Sequence, residues 1–370
     1  MTPRENLLRT LRGEEPAWVP FAPNIWQWFE HHRGRGSLPA ELAGCRDHVD
    51  ALMAIGAEVF TRNHGGGVGM RDTTIQVAVE ETVNHLGRRS LRRWTTPHGE
   101  LREVIQEQAA LTTYHTEEYL VKDWSRERDA VFAWQDQRRW EWNEAAFMEL
   151  HQRVGERGVI NVPVGHTPLK MLHWLFGLDG SCLFANDFLE DAQALCDRHW
   201  AGLRPWFVRL AADDRIQSTI LMDNVDTPFY SPNLARRFWL PYVADASAIM
   251  AQAGKSLFVH ACGKLARLAP IFAEAKVSGL EGISHAPLGD WSAAAAQHCH
   301  PGFVFVGGFS AREQTMLDDA GVDDFYRDYL GASQRRRFIF SASCQTAIDT
   351  PFARILRVRD LCREWGGRPG

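Results

Sequence analysis

Eight short apolar segments, each followed by a segment with helical character, recur along this chain of 370 residues. Parallel strands need a crossover connection, so a regular alternation of strands and helices favours a parallel sheet covered by helices. Eight such units predict an α/β fold, a (β/α)8 TIM barrel with an N-terminal helical extension. An open doubly wound sheet is the alternative, but no G-x-G-x-x-G motif follows a strand here. The predicted strands are 18–22, 57–61, 158–164, 218–222, 256–260, 277–281, 303–306 and 338–342.

Residues 68–140 interrupt this alternation. Segments typical of antiparallel strands flank Gly87, a residue that suits a tight turn. We interpret 68–140 as a hairpin-rich insertion after the second strand, within a single barrel domain that spans 1–370. The predicted N-terminal extension is a helix over Pro3–Arg12, because Thr2 can cap it and proline fits its first turn. The predicted strands of the insertion are 76–79, 82–86 and 89–94.

The charge pattern argues against several classes of partner. The net charge is −5, both signs are interspersed, and no basic run indicates nucleic acid binding. No apolar stretch approaches the roughly 20 residues that a membrane helix needs, and the charged N-terminus lacks the apolar core of a secretory signal. Seven cysteines at scattered positions favour free thiols and a reducing cytoplasm. We therefore expect a cytoplasmic protein that binds neither nucleic acid nor a membrane.

Four residues that can bind a metal stand where predicted strands end. His260 and Cys262 end the fifth strand, Glu281 closes the sixth, and Cys344 follows the eighth. Because the carboxyl ends of parallel strands meet at one rim, where barrel active sites form, these side chains should converge. One imidazole, two thiols and one carboxylate predict a zinc site with one exchangeable position. The soft sulfur ligands favour zinc over magnesium or calcium.

This ligand set determines the expected chemistry. Two thiolates and one imidazole on Zn²⁺ leave no net positive charge, so a substrate thiolate bound there keeps its nucleophilic character near neutral pH. Glu281 is predicted to be catalytic as well as a ligand, because it can leave the metal when substrate enters. The same position could instead hold a hydroxyl, an ether oxygen or water, with zinc acting as a Lewis acid.

Further candidate residues are placed at the same rim. Asp223 ends the fourth strand and is predicted to be catalytic, as a carboxylate that contacts substrate or a ligating histidine. The alternative for Asp223 is a helix N-cap network before Ser231-Pro232, and histidines that follow strands can likewise be capping residues. The aromatic segment from Trp26 to Phe29 would help to form an apolar pocket. The predicted substrate-binding residues are Trp26, Trp28, His64, His166, Asp226 and His285.

The chain resembles the uroporphyrinogen decarboxylase superfamily over nearly its full length. The opening that starts at Thr2 and runs to Val19-Pro20 is similar to the start of that family. The His260-Ala-Cys262 pair with the distant Cys344 is similar to the H-x-C…C zinc signature of the cobamide-linked methyltransferase branch. Glu281 stands where the similar zinc site of cobalamin-independent methionine synthase has its displaceable carboxylate. Other matching segments are Asp223 with Ser231-Pro232, Leu240-Pro241-Tyr242, and Thr350-Pro351 before the last helix.

The resemblance implies a barrel, a Zn²⁺ cofactor and methyl transfer to or from a corrinoid carried by a separate protein. The small molecule would be a methoxyaromatic compound, as in O-demethylation, a methylamine or a thiol. The alternative is decarboxylation of a tetrapyrrole, for which this superfamily uses an arginine-rich R-Q-A-G-R-Y segment near the first strand. Here that place holds Asn24-Ile-Trp-Gln-Trp-Phe29. A third hypothesis is a non-catalytic barrel with structural zinc, and a homodimer is an assembly that the sequence leaves open.

Overall fold

The main sheet of this protein contains six parallel strands. The structure, a computed structural model, describes residues 1–72, 76–111 and 113–367. In chain order the strands are β1 (Val68–Asp72), β2 (Gln76–Asn84), β3 (Gly87–Thr96), β4 (Gly99–Gln108), β5 (Thr113–Glu118), β6 (Arg138–Trp142), β7 (Asn161–Pro163), β8 (Ser218–Val225), β9 (Ser256–Ala261), β10 (Gly279–Ile283), β11 (Val304–Phe309) and β12 (Phe338–Ala342). The order in the main sheet is β12-β11-β10-β9-β8-β7.

Two short segments join the edges of this sheet. Phe21 forms a parallel bridge with Phe340 of β12, and Val59 forms one with Gly158, just before β7. Between these segments, the backbone N–H of Glu58 donates to the carbonyl of Phe21 at 2.9 Å. Backbone hydrogen bonds therefore connect each edge of the six-stranded sheet to one of these two segments, and the two segments to each other. The predicted (β/α)8 barrel is confirmed, although its first two strands are reduced to single bridges.

Prolines explain why the first strand is so short. Pro20 and Pro23 have no N–H to donate, so the ladder beside Phe21 cannot extend. The fully buried carboxylate of Glu58 supplies other contacts instead. It accepts hydrogen bonds from Trp18 Nε1 at 2.9 Å and from the backbone N–H of Phe21 at 2.8 Å.

Helices cover the outside of the barrel and one of its ends. Leu7 of the first helix is fully buried in the cluster that fills the barrel interior, together with residues such as Phe258 and Ile339. Arg4 of the same helix donates to the carbonyl of Gly158 at the start of the third barrel strand. The predicted N-terminal helix, with Thr2 in a capping box, is therefore found, and it closes the amino-terminal end of the barrel. The opposite rim remains available for a site.

Capping residues and prolines determine where the helices begin and end. The predicted helix from Lys264 starts only at Ala269, because Pro270 fits the first turn of a helix but not its interior. Among the described residues the helices are α1 (Pro3–Arg12), α2 (Trp26–Gly34), α3 (His48–Ala54), α4 (Trp124–Asp136), α5 (Glu144–Val154), α6 (Pro168–Asp187), α7 (Leu189–Ala211), α8 (Pro232–Phe238), α9 (Leu240–Gln252), α10 (Ala269–Ala275), α11 (Ala293–Ala296), α12 (Ala311–Met316), α13 (Asp319–Gly331) and α14 (Phe352–Gly366). None of them has both the length and the apolar character needed to span a membrane.

Antiparallel strands make up the segment that interrupts the alternation. β2, β3, β4 and β5 form a four-stranded meander, and β1 pairs with β6. The turn between β2 and β3 lies at the predicted position, with Asn84 opposite Gly87. Trp94 of β3 packs edge-to-face against Trp134 of α4, with ring centroids 6.3 Å apart. The assignment of 68–140 to an insertion within one domain stays a prediction.

Candidate metal centre

Three of the predicted metal ligands converge at the carboxyl ends of the strands. His260 ends β9, Cys262 follows it by two residues, and Cys344 follows β12. One ligand atom from each lies within 4.8 Å of the others. Cys344 Sγ is 3.6 Å from His260 Nε2. The imidazole is buried and both thiols are partly buried, so residues more than 80 positions apart meet in a space sheltered from solvent.

The fourth predicted ligand, Glu281, lies behind the imidazole. Its Oε2 is 2.5 Å from His260 Nδ1, the nitrogen that faces away from the thiols. Arg62 Nε donates to the same oxygen at 2.7 Å, and the Arg62 and Glu281 side chains are both 6% exposed. This arrangement fixes the ring orientation and directs Nε2 towards Cys344. The role of Glu281 as a metal ligand stays a prediction, since its hydrogen bonds here are made with His260 and Arg62.

The charges of the centre favour one thiolate. A hydrogen bond from the Cys262 thiol, with the charges of His260 and Arg62, lowers the pKa of Cys344 well below its usual range despite burial. The hydrogen bond with Cys344, together with burial, raises the pKa of Cys262. Burial and Arg62 lower the pKa of His260, but Glu281 and Cys344 raise it by more, so the net shift is upward. Cys344 is thus already prepared as an anionic donor.

Carboxylate Glu281 stays ionised although it is buried. Burial raises its pKa, but the charges of Arg62 and His260 outweigh this effect, and the net pKa is lowered. A carboxylate that accepts a hydrogen bond from a ligating histidine is the usual outer partner in zinc sites, because it selects the tautomer that leaves the other nitrogen free. The geometry of Arg62, Glu281 and His260 fits that role.

Neighbouring residues hold the two cysteine loops in place. Asp226, a predicted substrate contact, accepts a hydrogen bond from the backbone N–H of Lys264 at 2.8 Å, just after Cys262. Asn24 Nδ2 donates to the carbonyl of Cys344 at 3.0 Å. Both contacts restrain the backbone that carries a sulfur. In this structure Asp226 therefore supports the Cys262 loop, and its predicted contact with substrate stays a prediction.

Gly282 gives His260 the room it needs. A side chain at this position would place its Cβ 2.7 Å from His260 Cε1, and its φ of +96° is rare for any residue with a side chain. We expect Gly282→Ala to displace the imidazole, to cost about 1–3 kcal/mol of unfolding free energy, and to weaken zinc binding. Urea unfolding and zinc titration measure both effects. Gly331→Ala is the control, because a Cβ there meets no atom within 4 Å; equal behaviour of the two variants would contradict the prediction.

Asp223, predicted to be catalytic, is fully enclosed. Its carboxylate accepts hydrogen bonds from Thr167 N at 2.8 Å, from Thr167 Oγ1 at 2.7 Å and from Trp239 Nε1 at 2.8 Å. Burial raises its pKa, although these three donors oppose the shift. The side chain thus ties the start of α6 to the end of β8. These contacts are made at the start of α6 and not before Ser231-Pro232, where the N-cap alternative placed them. A catalytic role for Asp223 stays a prediction.

The predicted histidine contacts occupy separate environments. Both ring nitrogens of His64 lie near backbone partners, the carbonyl of Asn161 and the N–H of Gly66, and burial lowers its pKa to about 4. His166 is buried against Trp174, with ring centroids 3.7 Å apart. His285 Nε2 lies 3.1 Å from the carboxylate of the fully buried Glu313. None of the three is part of the three-residue metal cluster.

The two predicted tryptophans also differ. Trp28 is buried and donates from Nε1 to the carbonyl of Thr350 at 2.9 Å, so in this structure it packs in the core. Trp26 is partly exposed and lines a cleft of about 640 Å³. Arg62 and His64 line the same cleft, which therefore lies next to the outer side of the metal centre. The structure brings Trp26 and His64 together, but it separates Trp28 from them.

Sequence reasoning missed two basic residues of this rim. Arg62 directly follows the second barrel strand and pairs with Glu281. Lys170 lies in the first turn of α6, where the charges of Asp223 and Cys262 act on it. The position of Arg62 after a strand was a signal that could have identified it. No local pattern distinguishes Lys170 from a solvent-exposed lysine on a helix.

Fold and site together define a (β/α)8-barrel protein with a candidate His-Cys-Cys metal centre at the carboxyl ends of its strands. Residues 216–365 match the family model described as uroporphyrinogen decarboxylase (URO-D). The resemblance found in the sequence is therefore confirmed for this part of the chain. A search of curated protein sequences gave no match to the chain.

Solved structures share the fold at low sequence identity. A methyltransferase from Methanosarcina mazei is 12% identical, with a TM-score of 0.63 and coverage of 99% of both chains. A B12-independent methionine synthase from Shewanella sp. W3-18-1 is 11% identical, with a TM-score of 0.47 over 95% of this chain and 93% of that one. A putative B12-independent methionine synthase from Listeria monocytogenes is 15% identical, with a TM-score of 0.38 and coverage of 60% and 70%. The first of these likenesses supports the fold alone.

Proposed function

We propose that this chain is a zinc-dependent methyltransferase that moves a methyl group between a small molecule and a corrinoid. The observation that carries the proposal is the approach of donor atoms from His260, Cys262 and Cys344 to within 4.8 Å of one another. The Methanosarcina mazei protein that shares this fold over 99% of both chains is a methyltransferase, and the proposal takes its class of reaction from that protein.

The residues of the centre fit zinc. Two sulfur donors and one imidazole are the ligands that zinc accepts in tetrahedral sites, and three protein ligands leave a position for substrate. His260 Nε2 faces Cys344, and Cys344 has a lowered pKa because Cys262 donates a hydrogen bond to it and nearby charges favour the thiolate. His260, Cys262 and Cys344 would hold the ion. Zinc bound there would activate a substrate thiol or polarise an ether oxygen.

Arg62 and Glu281 would act as positioning residues. Glu281 holds the proton on His260 Nδ1, and Arg62 holds Glu281 in its ionised form. The imidazole then presents a free Nε2 towards the thiols without a tautomeric change. Exchange of Glu281 onto the metal, as the sequence suggests, would require the carboxylate to leave both of these partners.

The cleft beside Arg62 is a proposed route by which the small molecule reaches the metal centre. Trp26 offers it an apolar aromatic face, while polar side chains such as Asn63 line the same space. A methoxyaromatic compound, a methylamine or a thiol would fit this mixture of surfaces. The corrinoid would be carried by a partner protein that docks at the open rim of the barrel.

Methyl transfer to and from free cobalamin tests this function. We expect zinc-loaded protein to transfer the methyl group of methylcob(III)alamin to a thiol, which forms a thioether and cob(I)alamin, or to methylate cob(I)alamin from a methoxyaromatic compound and release a phenol. Absorbance spectra of the corrinoid follow both reactions. The zinc-free protein is the control. Rates that match this control in both directions would refute the proposal.

Decarboxylation of a tetrapyrrole is the second candidate, favoured by the family match of residues 216–365. It requires cationic side chains for the many carboxylates of such a substrate. Four arginines of β3 are already paired with glutamates of the antiparallel sheet; they are Arg88, Arg89, Arg92 and Arg93. Turnover of uroporphyrinogen, followed by chromatography, separates this candidate from methyl transfer.

A further inference from the structure

Lys170 presents a charge at the rim of the barrel. Thr167 caps α6, and its N–H and hydroxyl both bind Asp223, so the first turn of α6 is fixed over the end of β8. Lys170 follows in that turn and is partly buried. Throughout the described part of the chain, no hydrogen bond or ion pair engages its Nζ.

His173 lies on the same face of α6, one turn further along. Residues three apart on a helix are neighbours, about 5–6 Å between their Cβ atoms. The His173 side chain is 4% exposed, and its ring contacts that of Tyr230 edge-to-face at 5.1 Å. The carbonyl of Phe229 lies near the ring, but among the residues that the structure describes neither ring nitrogen finds a partner in a hydrogen bond of normal geometry. The face therefore combines a cation with a buried polar ring that lacks a regular partner.

Asp223 does not form an ion pair with Lys170. Its carboxylate already accepts three hydrogen bonds, two from Thr167 and one from Trp239. Burial lowers the pKa of Lys170, and the charges of Asp223 and Cys262 only partly offset that effect. An anionic ligand would stabilise the partly buried ammonium of Lys170, because a charge-assisted hydrogen bond is stronger than a neutral one.

We propose that Lys170, with His173 beside it, binds a carboxylate of the small molecule that reacts at the metal centre. The proposal rests on the methyltransferase function and specifies its substrate class, a thiol or methyl compound that carries a carboxylate a few atoms from its reacting group. Lys170 thereby selects charged substrates over neutral ones of the same size. A purely structural lysine would affect stability without affecting this choice.

Isothermal titration calorimetry of the zinc-loaded protein with two matched thiols tests the proposal. The probes are 3-mercaptopropionate and its neutral analogue 3-mercaptopropionamide. We expect the wild-type protein to bind the carboxylate at least about tenfold more tightly, as one charge-assisted contact allows. Lys170→Met should abolish this preference, whereas Lys170→Arg should retain most of it. Lys276→Met, an exposed lysine on the turn that precedes β10, is the control and should behave as the wild type.

Three results would overturn the proposal. These are equal affinity of the wild type for both probes, an unchanged preference in Lys170→Met, and no binding of either probe to protein that holds zinc. Thermal unfolding and zinc content of each variant accompany the titrations, so that a folding defect is not mistaken for lost recognition. Protein that binds no zinc at all would instead refute the metal centre, and with it the proposed function.

Discussion

Cys262→Ser is expected to abolish tight zinc binding. Cys262 and Cys344 provide the two sulfur donors, and a serine hydroxyl is a poor substitute for a thiolate on zinc. Loss of even an outer hydrogen-bond partner of a zinc ligand costs about 10–100-fold in metal affinity, so loss of a ligand should exceed about 100-fold. Elemental analysis after dialysis against a chelator measures the zinc that remains. Methyl transfer should fall with the zinc content.

Cys299→Ser is the matched control. Cys299 is also partly buried, but its thiol lies near the carbonyl of Ala269 and takes no part in the metal cluster. This variant should keep about one zinc ion per chain, as a site with the ligands intact requires. Full zinc content and activity in Cys262→Ser would refute the metal centre. Equal loss in both variants would indicate that general damage, and not the loss of a ligand, explains the result.

Glu281→Gln is expected to be the most destabilising conservative change near the site. It leaves the buried Arg62 guanidinium without its charged partner, and removal of one partner from a buried ion pair costs about 3–5 kcal/mol. The substitution should also weaken zinc binding by about 10–100-fold, because His260 loses the acceptor that orients it. Urea unfolding and competitive zinc titration measure the two effects separately.

A double-mutant cycle with Arg62→Met isolates the pair. Each single change leaves a buried charge with fewer partners. The loss of unfolding free energy in the double variant should therefore be smaller than the sum of the two single losses, by about 1–3 kcal/mol. Glu274→Gln, which breaks the exposed pair with Arg236, is the control and should change stability by less than about 1 kcal/mol. Strict additivity of the Arg62 and Glu281 changes would contradict the geometry described here.

The sequence by itself determined the barrel and the approximate position of the site. Alternation of apolar and helical segments identifies eight strands, and the carboxyl ends of parallel strands share one rim whatever the details of packing. His260, Cys262 and Cys344 each stand at such an end, so their approach could be predicted from chain order alone. The first two strands were found for the same reason, even though Pro20 and Pro23 reduce the first to a single bridge.

Only the tertiary structure decided the direction of side chains and their partners. Glu281 also stands at a strand end, but in this structure it contacts the far nitrogen of His260 and is held there by Arg62, which is 219 residues away in the chain. Trp28 lies two residues after the cleft residue Trp26 but packs in the core. The alternation of strands and helices predicts at which end of the barrel a residue lies. The contacts of its side chain depend on residues of other strands that are distant in sequence, and no local sequence pattern identifies those residues.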